Sequence, residues 1–247
     1  MNAGFDFSRF EWLSFDCYGT LIDWESGILA YFRELLQRRS CKISDDAILT
    51  LYSEFEPRQQ AEEYRPYREV LASVVRDFAR ELRFEVSAAE ASGLAESIRD
   101  WEPFADTVAG LQRLHSRYKL AILSNIDDDL FAGSAAKLEV PFDCVVTAQQ
   151  VGSYKPSLPN FETLLERVGI PRERLLHVAE SLYHDVGPAR SLGIGTVWVN
   201  RRQGKAAAAS KFVEARPDVE VATIAELADA AGISSDQRPR SGRRILR

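Results

Sequence analysis

The sequence predicts an α/β protein: a parallel sheet wrapped by helices on both faces, interrupted near its start by an all-helical insert. Three observations lead there. The apolar run Trp12-Leu13-Ser14-Phe15 stops at Asp16 and a Gly19-Thr20 pair, the pattern of a short buried strand running into a tight loop. The next roughly eighty residues show helical periodicity and no convincing strand. From Ala105 onward helices and strands alternate, which implies a parallel sheet covered by its connecting helices. The Asp16 strand, isolated before the insert, most simply joins that sheet.

The insert reads as four helices. Ile28, Phe32, Leu35 and Leu36 share one face; Ile48, Leu51 and Phe55 form a second; Val70, Val74, Phe78 and Leu82 a third. A fourth opens at Ser87, where Glu90 completes a capping box, and turns Leu94 and Ile98 inward. Trp101-Glu102-Pro103-Phe104 breaks the periodicity and reads as a hinge. Beyond it, Val108, Leu111 and Leu114 mark a helix and Leu120 to Leu123 a strand that stops at Ser124-Asn125. Leu130, Phe131 and Leu138 belong to the next helix, and Phe142 to Thr147 to the next strand. Phe161, Leu164, Leu165 and Val168 form a helix introduced by Ser157 and Pro159. Leu175 to Ala179 is a strand, Val186, Ala189 and Leu192 a short helix, and Thr196 to Val199 the last strand. Ile224, Leu227 and Ala228 suggest a closing helix, and the Arg-rich stretch from Ser234 to Arg247 a mobile tail. The expected organisation is therefore a core of residues 1–21 and 105–233, a helical insert of residues 22–104 and a tail of residues 234–247.

Composition narrows the function. A net charge of -6 disfavours a general nucleic-acid binder. Cys17, Cys41 and Cys144 lie far apart with no CxxC pair, against a disulfide framework or zinc site. Met1 to Phe10 holds no basic segment leading into an apolar run, and nowhere are eighteen apolar residues consecutive, so secretion and membrane association are not expected and a cytoplasmic location is.

The apolar runs end in groups able to do chemistry: Asp16, then Ser124 and Asn125, then Glu180 and Asp185. In a parallel sheet these strand ends lie on one edge, so they converge. Lys155, between Tyr154 and Pro156, supplies a cation. Carboxylates brought together raise one another's pKa unless a cation or hydrogen-bond donors compensate. Lys155, Ser124, Asn125 and Thr20 are suited to that, keeping Asp16 ionised as a nucleophile. Each has an ordinary alternative: a turn aspartate, a surface lysine, an N-cap, a first-turn acid. The ordered set of four is what argues for catalysis.

Asp16-Cys17-Tyr18-Gly19-Thr20-Leu21, Leu123-Ser124-Asn125, Tyr154-Lys155-Pro156, Glu180 to Asp185 and Trp198-Val199-Asn200-Arg201 together resemble the haloacid dehalogenase superfamily, and most its L-2-haloacid dehalogenase branch. The resemblance implies a Rossmann-like, doubly wound core with an inserted helical cap, and often a homodimer. It implies a small 2-haloacid as substrate, a halide as product and no cofactor. Asp16 would attack C2 of the substrate, Asp185 would activate water against the resulting ester, Lys155 would hold the nucleophile, and Thr20 and Asn125 would orient it. Ser124 and nearby amides would bind the substrate carboxylate. Cys17, Tyr18, Glu180 and Ser181 would complete the pocket, with Arg58, or in competition Arg65, receiving the halide.

Two departures matter. Phosphatases of the superfamily usually carry an aspartate two positions after the nucleophile to protonate the leaving alkoxide, and here that position is Tyr18. Glu180-Ser181-Leu182-Tyr183-His184-Asp185 in turn lacks the asparagine usual in the dehalogenases, and its two acids are spaced like the metal-binding acids of the phosphatases. An Mg²⁺-dependent phosphatase using Asp16, Tyr18 and Asp185 around the metal is therefore the alternative.

Overall fold

The computed structural model describes residues 4–61, 63–202 and 215–234. The expected Arg-rich tail falls almost wholly outside them.

Six strands form one parallel sheet: β1 (Trp12–Phe15), β2 (Lys119–Ser124), β3 (Cys144–Thr147), β4 (Leu175–Ala179), β5 (Gly195–Val199) and β6 (Val219–Val221), in the order β3-β2-β1-β4-β5-β6. β1 sits at the centre, paired with β2 through Phe15 opposite Ile122 and with β4 through Phe15 opposite Val178. The chain winds outward through β2 and β3 on one side, then crosses back to β4 and winds outward on the other. That reversal puts a crevice at the carboxyl ends of β1, β2 and β4, where such sheets bind ligands. β1 is buried along its whole length, which explains why it reads as a continuous apolar run rather than an alternating one. The sequence reading ended the sheet at Val199 and missed β6, because Val219-Glu220-Val221 is too short to show a period.

Four helices lie between β1 and the rest of the core: α1 (Trp24–Gln37), α2 (Asp45–Gln60), α3 (Tyr67–Glu81) and α4 (Ala88–Ser97). They enclose their own apolar centre, in which Phe78 stacks on Phe32 at 3.9 Å and meets Phe55 edge-on. The capping box at Ser87 forms in full, Ser87 Oγ accepting from the Glu90 amide and Glu90 from the Ser87 amide. On α2 the buried face is Ile48, Tyr52 and Phe55, with Leu51 only half-buried. An aromatic with a polar tip took the place a simple apolar count gives to leucine, because the hydroxyl finds a partner in Tyr67 at 3.1 Å.

The two chain crossings between insert and core run side by side. Asp23 donates its amide to Glu102 O at 2.9 Å and Phe104 to Leu21 O at 3.1 Å, so the hinge is a short paired ribbon. The core completes with α5 (Thr107–His115), α6 (Asp128–Leu138), α7 (Ala148–Val151), α8 (Leu158–Val168), α9 (Gly187–Ser191) and α10 (Ile224–Ala230). No helix among the described residues is long and apolar enough to cross a membrane.

Asp127, at the start of α6, fastens the insert to the core. Its carboxylate is 1% exposed and accepts the Tyr67 and Arg68 amides, 2.8 and 3.0 Å away, so a core residue caps the first turn of α3. Asp127→Ala is expected to cost about 1–2 kcal/mol by leaving those amides uncapped. The check is thermal unfolding, with a Tm lower by roughly 2–8 °C; an unchanged Tm would mean the contact carries no stability.

Candidate active site

Asp16 follows β1 directly and continues its ladder, the Asp16 amide donating to Val178 O at 3.1 Å. The chain then turns on itself: Cys17 O accepts from the amides of Leu21 and Ile22 at 2.7 and 3.0 Å. Gly19 makes the turn with φ +94°, and a Cβ there would meet the Trp24 indole at 3.0 Å, so both backbone and space call for glycine. Thr20, fully buried, returns to the nucleophile: its hydroxyl donates to Asp16 Oδ2 at 2.7 Å and accepts from the Glu180 amide at 2.9 Å. One threonine thus ties the exit of β1 to the exit of β4.

Lys155 is 2% exposed and satisfies all three of its ammonium hydrogens, on Asp16 Oδ1 (2.9 Å), Asp185 Oδ1 (2.6 Å) and Leu123 O (2.9 Å). Its backbone is clamped by Asn125, whose side chain accepts from the Lys155 amide at 2.7 Å and donates to its carbonyl at 3.1 Å. Asn125 therefore contacts Lys155 rather than Asp16. Asp185 also meets His177 Nε2 at 2.9 Å, and His177 Nδ1 meets Ser14 Oγ at 2.8 Å. A carboxylate only accepts, so Nε2 carries the hydrogen. His177 was not singled out from sequence. It sits within an apolar strand, where only its contact with Asp185 distinguishes it from packing.

The electrostatics follow from this crowding. Burial pushes the Asp16 carboxyl upward, and the charge of Asp185 adds to that against the pull of Lys155 and Thr20. Burial also acts on Asp185, but Lys155 and His177 outweigh it and hold its pKa down at about 2. Lys155 is raised, since its two carboxylates overcome the burial that would lower it. Glu180, left without a cation, is pushed up to about 7 by burial and by the charges of Asp16 and Asp185.

These groups open onto a cavity of about 420 Å³ between core and insert. Of the expected pocket residues, Tyr18, Ser124, Glu180 and Ser181 line it along with Asp16 and Lys155. The Ser124 hydroxyl is buried there with no hydrogen-bond partner among the described residues. Tyr18 donates or accepts at Ser134 Oγ, 2.9 Å away, and its ring meets Trp101 edge-on, so it forms a wall. His184 lines the cavity too and bonds Ser181 through its amide.

Three expectations fail. The Cys17 side chain is fully buried in the core and does not reach the cavity. Arg58 pairs with Glu54 at 2.5 Å on the exposed side of α2. Arg65 bonds Gln59 and Ser73 and faces a different depression, beside Arg68 and Arg76. The arginines that do line the cavity are Arg201 and Arg202, from the core. Arg201 holds the nucleophile loop by donating to Thr20 O at 2.7 Å, and Arg202 pairs with Glu25. The insert instead presents Glu56, Tyr52, Tyr67 and Gln60, none of which the sequence reading selected.

The donors that the alternative reading would offer Mg²⁺ are Asp16, the Tyr18 carbonyl and Asp185. Lys155 already bridges one oxygen of each carboxylate, and among the described residues no three acids, histidines or cysteines converge as a metal cage.

Comparison with known proteins agrees with the geometry. The (S)-2-haloacid dehalogenase of Pseudomonas sp. (strain YL) is 29% identical over 195 residues, spanning 76% of this chain and 82% of its own. The L-2-haloacid dehalogenase of Xanthobacter autotrophicus with chloropropionic acid covalently bound superposes with a TM-score of 0.76 at 20% identity, over 91% of this chain and all of that one. The HAD-hydrolase YfnB of Bacillus subtilis, bound to magnesium, superposes with a TM-score of 0.75 at 19% identity, over 91% and 100%. The family profile described as haloacid dehalogenase-like hydrolase matches residues 11–193. With that match over most of the chain, and a buried aspartate held by lysine and threonine at the centre of a parallel sheet, the chain belongs to the haloacid dehalogenase-like hydrolases.

Proposed function

We propose that this hydrolase converts short (S)-2-haloacids to (R)-2-hydroxyacids through an ester on Asp16. The observation that carries the reading is the pairing of a fixed, cavity-facing Asp16 with a tyrosine at position 18 whose hydroxyl is engaged with Ser134. An alkoxide leaving group needs a proton from that position, worth roughly a hundredfold in rate, whereas chloride and its heavier relatives need none.

In the first step an oxygen of Asp16 displaces the halide from C2, inverting that carbon. Lys155 and Thr20 hold the carboxylate against rotation, which keeps the attack in line. The Ser124 hydroxyl, without a hydrogen-bond partner among the described residues, binds the substrate carboxylate. In the second step water attacks the carbonyl carbon of the Asp16 ester. Asp185 was the expected base, but with its pKa at about 2 and Oδ1 engaged by Lys155 and His177 it is too weak a base and too tightly held. Glu180 lines the cavity, and burial, the largest cause of its raised pKa, persists once Asp16 is esterified, which makes it the better-matched base; Asp185 positions Lys155.

Mg²⁺-dependent phosphate-ester hydrolysis is the second reading, favoured by the crowding of Glu180 with Asp16 and Asp185, a surplus of negative charge that a divalent ion would also neutralise. It would draw on the carboxylate oxygens that Lys155 does not occupy. Assaying L-2-chloropropionate and a generic phosphate monoester side by side, each with EDTA and with Mg²⁺, separates the two. Halide release that survives EDTA is the expected result. Metal-dependent phosphate release without halide release overturns it.

A further inference from the structure

The insert side of the cavity carries the acid Glu56 where a halide-binding cation was expected. Glu56, on α2, lines the cavity from the insert while Asp16 lines it from the core. Glu56 Oε1 accepts from the Tyr67 hydroxyl at 3.2 Å and from the Gln60 amide. Tyr67 in turn meets the Tyr52 hydroxyl at 3.1 Å. Oε2 has no hydrogen bond among the described residues. The titratable groups around it are Tyr52 on α2, Tyr67 on α3 and Tyr154 in the loop before α8, all neutral at ordinary pH, and no arginine or lysine balances it. Burial accordingly pushes its pKa up to about 7, against the opposing pull of the Tyr67 and Gln60 hydrogen bonds. An ionised carboxylate here would repel a departing anion, while a protonated one offers it a hydrogen.

We propose that the Oε2 hydroxyl of protonated Glu56 is the donor to the departing halogen, and that it gives this site its largest advantage on substrates with a basic leaving atom, namely 2-fluoroacids. The inference rests on the dehalogenase reading above. As an oxygen of Asp16 bonds to C2, the C2–F bond breaks with its electron pair going to fluorine, and the departing fluoride accepts a hydrogen bond from the Glu56 hydroxyl. Fluoride leaves as the anion, because its conjugate acid is far more acidic than this carboxyl, and Glu56 keeps its proton. Chloride and bromide are far weaker bases and gain much less from the same donor.

The test compares fluoride release from 2-fluoropropionate with chloride release from 2-chloropropionate, as kcat/KM against pH. Because kcat/KM reports events through the esterification step, hydrolysis by Glu180 does not enter it. Glu56 works protonated, so fluoride release is expected to be full below neutrality and to fall as pH rises through about 7. Glu56→Leu removes that limb and lowers fluoride release ~100-fold, at least roughly tenfold more than chloride release. Tyr67→Phe deletes a hydrogen bond that favours the carboxylate, so the limb moves to higher pH. Equal loss of both halides in Glu56→Leu, or a limb that persists there, overturns the inference while leaving the dehalogenase reading intact. A limb unmoved in Tyr67→Phe overturns it as well. No halide from any 2-haloacid with the unmodified protein overturns both.

Discussion

Asp16→Asn is expected to lower turnover at least ~10⁴-fold while leaving the protein as stable as before or more so. The loss follows from the mechanism: an amide is no nucleophile, and Lys155, Thr20 and Ser124 have nothing to act through. The stability follows from the environment. The folded-state pKa of Asp16 is raised, chiefly by burial, so ionising it costs the folded protein more than the unfolded chain. That cost grows as pH rises from the unfolded carboxylate value through the folded one. Asparagine avoids it and still fits beside Thr20, while Lys155 keeps Asp185 as its counter-ion. Thermal unfolding at pH 7 measures this: an equal or higher Tm is expected. A Tm several degrees lower would mean that Asp16 is held for structure and not against the fold for chemistry.

Lys155→Met is expected to have the opposite balance, costing both activity and about 3–5 kcal/mol of stability. Removing the ammonium leaves Asp16 and Asp185 buried, like-charged and without a cation, and strips Leu123 O of its donor. For a chain of this length that cost corresponds to a Tm lower by roughly 6–20 °C. Its pH dependence has a definite sign. The pKa of Asp185 is held at about 2 in the folded protein, so its pairing contributes stability above the unfolded carboxylate value and loses it as pH falls toward 2. The gap between the unmodified protein and Lys155→Met should therefore be widest near neutrality and narrow between about pH 5 and pH 3. Urea unfolding at pH 7, 5 and 4 tests it, and a gap independent of pH would assign the loss to packing alone.

These two variants act on residues visible in the sequence, and the reason is general. β1, β2 and β4 are buried runs whose ends are marked by the first polar groups after them, Asp16, Asn125 and Glu180. Parallel pairing then forces those ends onto one edge whatever the details of packing. Thr20 was legible for the same reason, four residues beyond the nucleophile in a loop too tight to carry it elsewhere. His177 was not, because an inward histidine in an apolar strand looks like any buried ring until Asp185 is seen beside it.

From the chain alone came all of the sheet but β6, the place of the helical insert, and the gathering of Asp16, Lys155 and Asp185, all consequences of local periodicity and strand order. Which residues of the insert face the substrate was decided only in three dimensions. Positions two apart on an α-helix point about 200° apart, so the packing of Tyr52 and Phe55 that brings Glu56 to the cavity also turns Arg58 away from it. A helix with charges on several faces does not declare its rotation. The neighbours it packs against set that rotation, and with it whether the departing group meets a cation or an acid.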